Sequence, residues 1–321
     1  MEPKMNMDYK VRYINTNGKK RKIVTYANEE KKKEHIEIKS FLERKLIFSK
    51  FTKAYIAKSS IFKNARAHMY NDVFIKYDIE KFFNNINHKI LVEILHEQLN
   101  LNCEKNENSL IEVADLVSRC IVFKKGLPLG LITSPILANI YLKKFDNILY
   151  GKLKKLRLEN IIYTRYADDL TISFKNPHNW DIERFNEELV YIEDVIIKQL
   201  KKYNLKLNLK KKSLINLKAS NHVRITGISI TKVPDGKRRL SVGKKKINKL
   251  YDDALQLYIK KQNKDNILSD EDLYHISRVK GMESFILSIH KTGYNHVFSG
   301  MMQKKLEDLG FSSLGELIKN L

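Results

Sequence analysis

Apolar and polar positions alternate along this chain in two periods, one of strands and one of helices. Residues 9–27 alternate through Val11, Tyr13, Ile23 and Val24, which predicts a hairpin turning at Asn17-Gly18. Residues 29–48 follow the helical period, with Ile36, Ile38, Phe41, Leu42 and Leu46 as the inner face and Lys31-Lys32-Lys33 on a solvated one. Residues 72–79 read as a buried strand ending in an acid, Asp78, and residues 86–100 as a helix. Ser134-Pro135 marks a helix start, Ser as cap and Pro at the first helical position. Leu137, Ile140, Tyr141, Phe145, Ile148 and Leu149 then recur at helical spacing. Residues 161–174 predict two short strands around Ala167-Asp168-Asp169, and 181–203 a long amphipathic helix. Residues 223–230 and 238–242 predict a second strand pair around Pro234-Asp235-Gly236. From Lys244 onward the pattern is helical and rich in Lys, and the composition shift near residue 240 is the expected subdomain boundary.

Composition adds a partner class. The 321 residues are 43% hydrophobic, enough for a sizeable core and too much for a disordered chain. Lys and Arg total 60 against 37 Asp and Glu, a formal net charge of +23. Such a surface favours a polyanion, although an AT-rich coding sequence would also enrich Lys, Asn and Ile. Two cysteines, Cys103 and Cys120, without paired spacing exclude a disulfide framework and a structural zinc site, and fit a reducing cytosol. The first ten residues lack the apolar core of a signal peptide, and no apolar run reaches the roughly 20 residues of a membrane helix. The expectation is a cytoplasmic protein with no membrane partner.

The chemistry concentrates in three carboxylates. Asp78 ends a buried strand, and Asp168 and Asp169 sit at the tip of a strand–turn–strand flanked by apolar residues that pin them near the core. Acids in such places need a cationic partner. Mg²⁺ suits them, because it takes hard oxygen ligands from one or two carboxylates plus substrate phosphates. Two such ions can activate an attacking hydroxyl and stabilise a leaving pyrophosphate.

These residues also resemble a known family. Tyr166-Ala167-Asp168-Asp169 is similar to the YxDD box of reverse transcriptases, extended in the bacterial style from Tyr163 to Thr171. The other boxes follow in family order: Phe74 to Phe83 around Asp78, Leu127-Pro128-Leu129-Gly130 with Ser134-Pro135 and Leu137-Ala138-Asn139, Leu207 to Lys211, and Ile225-Thr226-Gly227. The resemblance covers about residues 20 to 310. It implies an α+β right-hand polymerase with an antiparallel palm sheet and a helical thumb. Fingers would span about 1–70 and 88–125, palm about 71–87 and 126–240, and thumb 241–321. It implies that Asp78 and Asp168, assisted by the Ile79 carbonyl and completed by Asp169, hold two Mg²⁺ ions. Phe83 falls where the family keeps an aromatic gate against ribonucleotides, with Phe82 as a core residue. Lys211 is the implied proton donor to pyrophosphate, with Lys210 and Lys212 as rivals in the same run. Lys22, within Lys19–Lys22, and Lys58 are the expected grips on the triphosphate or template of a deoxynucleotide. Leu129 stands where the family usually has Gln, and Leu offers no hydrogen bond to a nucleotide.

A second layer narrows the branch. Asn64-Ala65-Arg66-Ala67-His68 resembles the NAxxH box of retron reverse transcriptases, Ile225-Thr226-Gly227 their VTG box, and Gly281 to Ser288 their thumb. Asn64, His68, Thr226 and Gly227 are therefore expected in RNA binding or priming, against the bland alternative that Asn64 and His68 merely bond nearby backbone. Among the basic thumb residues, Lys245, Lys249 and Arg278 are the expected RNA contacts, about half of that set being ordinary helix surface. A retron enzyme would copy its cognate structured noncoding RNA from an internal 2′-hydroxyl into a 2′,5′-branched RNA–DNA product. A host ribonuclease H would trim the template, and an effector or toxin protein of the same locus would serve antiphage defence. The alternatives are another bacterial defence-associated or intron-type reverse transcriptase, and a non-catalytic RNA-binding scaffold.

Overall fold

The computed structural model describes residues 8–16, 18–101, 108–175, 182–232, 237–262, 269–291 and 293–321. Asn17, Cys103, Asp181 and the Pro234-Asp235-Gly236 turn lie outside them. The chain divides into two compact units, Met1–Ser220 and Asn221–Leu321. This division precedes the composition shift near residue 240. Among the described residues, the strands just before that shift pair with one another.

The first unit opens with β1 (Tyr9–Thr16) and β2 (Lys19–Tyr26), paired antiparallel as the alternation predicts. Then follow α1 (Glu29–Lys45), α2 (Ile61–Ala67), β3 (Val73–Asp78), α3 (Phe82–Asn85), α4 (His88–Leu99) and α5 (Leu110–Arg119). The predicted helix from Ser134 is two helices, α6 (Ser134–Tyr141) and α7 (Lys143–Leu153). β4 (Ile162–Tyr166), β5 (Asp169–Phe174), α8 (Ile182–Lys201) and β6 (Ser213–Asn216) complete the unit. β4, β5, β3 and β6 form one antiparallel sheet in that order. The apolar residues of β3 and β5 and the inner faces of α4, α6, α7 and α8 make the core.

Two local expectations need correction, and one strand was not foreseen. Ile36 is exposed, and His35 instead joins Ile38 and Leu42 on the buried face of α1. That shift suits a polar anchor: His35 Nε2 lies 2.9 Å from Tyr9 Oη and Nδ1 lies 3.0 Å from Thr133 Oγ1. Ser134 does not cap α6; its hydroxyl donates to the Pro128 carbonyl at 2.6 Å, and Thr133 holds the cap position. β6 came with no signal of its own, being half-exposed and only four residues long.

The β1–β2 hairpin is tied down by backbone. Val24 N–H donates to the Leu129 carbonyl at 2.8 Å, and Ile132 N–H to Tyr26 Oη at 2.8 Å. Gly130 makes this approach possible: its φ is +105°, and a Cβ there would lie 2.3 Å from the Val24 carbonyl oxygen.

Beneath the β4–β5 turn lies a buried polar network. Arg165 and Asp146 are both fully buried and bonded at 2.9 Å. Arg165 also reaches the Ala167 and Asn139 carbonyl oxygens and the Asn139 side chain, while Tyr163 Oη donates to Asp146 at 2.7 Å. Burial opposes the Arg165 charge, but Asp146 offsets it and holds the guanidinium pKa above its ordinary value. Asn139 is fixed in turn by Thr52 Oγ1 and the Ala54 carbonyl.

The second unit contains β7 (His222–Ile225), β8 (Ile228–Lys232), β9 (Arg238–Ser241), α9 (Lys244–Gln262), α10 (Asp270–Ile289), α11 (Gly300–Asp308) and α12 (Leu314–Lys319). The single strand expected over 223–230 is broken in two at Thr226-Gly227, whose φ angles are +44° and +87°. Two consecutive positive φ values make a tight hairpin turn whose twist matches that of the flanking strands. Ile247, Leu250 and Ala254 of α9 are buried, as are Ile276 and Val279 of α10 and Leu314 and Leu317 of α12. These three helices pack on one another.

Removing one partner of a buried ion pair strands the other charge, at a cost of about 3–5 kcal/mol. Asp146→Ala should therefore lower unfolding free energy by that order in a urea titration. Asp194→Ala, at the exposed Lys198 pair, should change it by less than about 1 kcal/mol.

Candidate active site

β3 and β5 bring the acids together through register. Asp78, the last residue of β3, stands directly opposite Asp169, the first residue of β5. The intervening turn needs a left-handed residue, and Ala167 supplies it at φ +56°. Its carbonyl is one of the groups held by Arg165 at 3.3 Å, so the turn rests on the buried network. Ile79 N–H donates to the Asp168 carbonyl at 3.0 Å, which ties the turn to the end of β3. Asp78 is buried, Asp168 half-buried and Asp169 at the solvent edge.

The negative charge is under-compensated. Burial raises the Asp168 pKa above the usual carboxylate range, with Asp78 adding to the effect; its own backbone N–H, Lys211 and Arg21 oppose it. The Asp169 carboxyl is pushed up to about 6, first by the packed protein around it, then by Asp168 and Asp78, against Lys211 and Lys76. Lys211 is the cation brought to the acids, with Nζ 2.5 Å from Asp78 Oδ1. That hydrogen bond raises its pKa, burial opposes the rise, and the three carboxylates add to it.

The Lys run is sorted by a one-turn 3₁₀ helix, Leu209–Lys211. Asn208 N–H donates to the Asp78 carbonyl at 2.8 Å, which sets the turn beside β3. Lys211 then faces the acids, Lys212 pairs with Glu193, and Lys210 is exposed.

An aromatic wall adjoins the acids. Phe83 is half-buried, whereas Phe82 is fully in the core. Tyr55, at φ +56°, has its ring centroid 6.5 Å from that of Phe83 and 6.4 Å from that of Tyr166. Leu129 is half-buried, and its carbonyl is committed to Val24.

Other expected site residues lie elsewhere or act otherwise. Lys22 Nζ sits 3.8 Å from the Phe123 ring centroid, and the hairpin cation whose field reaches Asp168 is Arg21. Lys58 is exposed at φ +60°, its carbonyl bonded by Lys63 Nζ. Asn64 and His68 are buried. His68 Nδ1 lies 2.6 Å from Ser173 Oγ and Nε2 2.7 Å from Thr164 Oγ1, so it pins the end of α2 to the two strands that flank the Asp168-Asp169 turn. Burial, aided by Lys53, pushes its pKa down to about 3. In the second unit, Lys245 is exposed, Lys249 pairs with Asp253 at 3.0 Å, and Arg278 lies 5.9 Å from the Tyr274 ring centroid.

Among the described residues, no three His, Cys, Asp or Glu side chains form a ready-made metal cage. The donor set nonetheless fits a hard divalent cation. Asp78, Asp168 and Asp169 offer only oxygen, two carry raised pKa values that a cation would relieve, and Mg²⁺ completes its shell with water and phosphate. Sequence reasoning missed Arg165, Asp146 and Tyr55, and named Arg21 only as part of the Lys19–Lys22 run; a basic residue inside an apolar strand was the one signal available for Arg165.

The family model described as "Reverse transcriptase (RNA-dependent DNA polymerase)" matches residues 10–230. The chain is 24% identical over 255 residues to the retron Ec86 reverse transcriptase of Escherichia coli, covering 79% of this chain and 68% of that protein. It is 29% identical over 125 residues to the retron Ec73 reverse transcriptase of Escherichia coli, covering 37% of this chain and 39% of that one. Among solved structures, apo telomerase from Candida tropicalis, truncated of its C-terminal domain, is similar with a TM-score of 0.49 and 14% identity. That match covers 72% of this chain and 54% of the telomerase chain. No helix among the described residues is long and apolar enough to cross a membrane. With its antiparallel sheets, its paired acids and a family match over more than half its length, the chain belongs to the reverse transcriptase (RNA-dependent DNA polymerase) family and is similar within it to bacterial retron enzymes.

Proposed function

We propose that this chain is the RNA-directed DNA polymerase of a retron. It would copy its cognate structured noncoding RNA into 2′,5′-branched single-stranded DNA by in-line nucleotidyl transfer. The observation that carries the reading is the register match of Asp78 with Asp169, with Asp168 tied to Ile79 beside them. Two Mg²⁺ ions would supply charge stabilisation for the attacking hydroxyl and the pyrophosphate. Asp78 and Asp168 would hold them, with the Ile79 carbonyl and Asp169 in support.

The remaining roles follow from position. Phe83 would lie under the deoxyribose, buttressed by Tyr55. Lys211 would protonate the departing pyrophosphate as a general acid. Arg21, whose field reaches Asp168, would share the role expected of Lys22. Fingers, palm and thumb are assigned to about 1–70 with 88–125, about 71–87 with 126–240, and 241–321. The partners in this reading are the noncoding RNA, deoxynucleotides, a host ribonuclease H and an effector protein, acting in the cytoplasm in antiphage defence.

The protein expressed with its native flanking DNA should co-purify with single-stranded DNA whose mobility shifts after 2′,5′-debranching. The Asp168→Asn, Asp169→Asn double variant should co-purify with RNA alone. Unbranched DNA would move the enzyme to another class of reverse transcriptase, and DNA in the double variant would remove the acids from catalysis. Phe83→Ala should raise ribonucleotide incorporation in primer extension; unchanged sugar selectivity would remove Phe83 from the site.

The acids also predict a pH dependence. Asp169 has a folded pKa of about 6, above its unfolded value, so the folded chain holds this proton more tightly. Without divalent cation, its contribution to stability therefore grows as pH falls through about 6 toward the unfolded value. Mg²⁺ competes with that proton, so it should raise Tm well above about pH 6 and have little effect well below it.

A further inference from the structure

Tyr55 joins a rigid mount to an unfavourable backbone and an exposed ring. The residues before it are fastened to β4 and α6. Arg165 N–H donates to the Phe51 carbonyl at 2.9 Å, Lys53 N–H to the Arg165 carbonyl at 2.7 Å, and Asn139 Nδ2 to the Ala54 carbonyl at 2.8 Å. At Tyr55 itself φ is +56°, a left-handed conformation that a bulky residue adopts only where its surroundings enforce it. Tyr55 is nonetheless 53% exposed, so burial offsets little of that strain.

The strained backbone holds the ring at the edge of the acid site. Its plane stands at 85° to that of Phe83, with the centroids 6.5 Å apart, and at 41° to that of Tyr166, with the centroids 6.4 Å apart. Tyr166 stands opposite Asp169 across β4 and β5, and Asp169 opposite Asp78. Tyr55 therefore bridges Phe83 and the end of β4 next to the acids. Its hydroxyl has no hydrogen-bond partner among the described residues. Burial, then the fields of Tyr166 and Asp168, hold its pKa above the ordinary value, so it keeps its proton at neutral pH and remains a donor.

We infer that Tyr55 is a specificity-determining residue for the incoming nucleotide, its hydroxyl donating a hydrogen bond to the oxygen of the sugar 3′-hydroxyl. The inference rests on the reading of the chain as a DNA polymerase with Phe83 under the deoxyribose. On a sugar whose C2′ lies against Phe83, C3′ is the next ring carbon on the way to the triphosphate. A 3′-hydroxyl taken out of water against an aromatic wall needs a partner. The Phe83 ring offers none, and the Tyr55 hydroxyl beside it does. A site that hydrogen-bonds a substrate hydroxyl discriminates against the analogue that lacks it. Tyr55 thus selects for the 3′-hydroxyl where Phe83 selects against the 2′-hydroxyl, and the two rings read adjacent carbons of one sugar.

The test is single-nucleotide extension of a DNA primer on an RNA template by the full chain, with dTTP or with 2′,3′-dideoxy-TTP. Tyr55→Phe keeps the ring and removes only the hydroxyl. It should lower kcat/KM for dTTP by about three- to tenfold, the scale of one neutral hydrogen bond, mainly through KM. The dideoxynucleotide has no 3′-hydroxyl to lose, so its kcat/KM should stay at the wild-type value, and the preference for dTTP should shrink by the same factor. Discrimination against ribonucleotides should persist, because the ring packed on Phe83 remains. Equal loss with both nucleotides, or no loss with either, in a variant of wild-type Tm would overturn the contact. Loss of the preference in Tyr166→Phe but not in Tyr55→Phe would do the same. A wild-type chain that adds no deoxynucleotide at all would overturn the polymerase reading itself, and the inference with it.

Discussion

The site rests on one buried ion pair. Arg165 and Asp146 are both removed from water, and such a pair persists only if nearly every donor and acceptor around it is satisfied. Here the partners come from four places: Asn139 on α6, Asp146 on α7, Tyr163 on β4, and the Ala167 carbonyl in the turn. A hydrophobic replacement of similar volume could be as stable. It would not hold the Ala167 carbonyl, and so would not specify where Asp168 and Asp169 stand. The network therefore contributes definition of shape more than net stability.

Above that support, the site is electrostatically incomplete. Three carboxylates converge, and the Lys211 ammonium answers them at Asp78. Raised carboxylate pKa values mark charge that the fold does not neutralise by itself. This is what a site for a hard cation and an anionic substrate requires: acids set in place by strand register and backbone hydrogen bonds, with Lys211 pairing at one of their oxygens.

Much of this was legible in the sequence. The acid at the end of an apolar strand and the acid pair between two short strands were both visible, because strand period and turn position set them. Lys211 was legible as one of three; only the 3₁₀ turn after Asn208 distinguishes it from its neighbours. The failures have a common cause in tertiary context. His35 displaced Ile36 from the buried face because Tyr9 and Thr133, far away in sequence, offered it partners. Asn64 and His68 were legible as a motif but not as buried groups, since the hydroxyl partners of His68 lie about a hundred residues on. The break at Thr226-Gly227 was hidden by a β-branched residue where left-handed backbone usually selects Gly or Asn.

His68 has a consequence for how the site answers its surroundings. With its pKa near 3, it keeps one charge state across the whole range of cellular acidity, while the Asp169 carboxyl on one of the strands it pins changes its own near 6. The clamp is electrically silent and the acid it positions is not. Without a bound cation, a swing in acidity therefore alters the charge at the tip of the β4–β5 hairpin while leaving His68's own grip on those strands untouched, so its anchor is a fixed mount beneath a titrating tip.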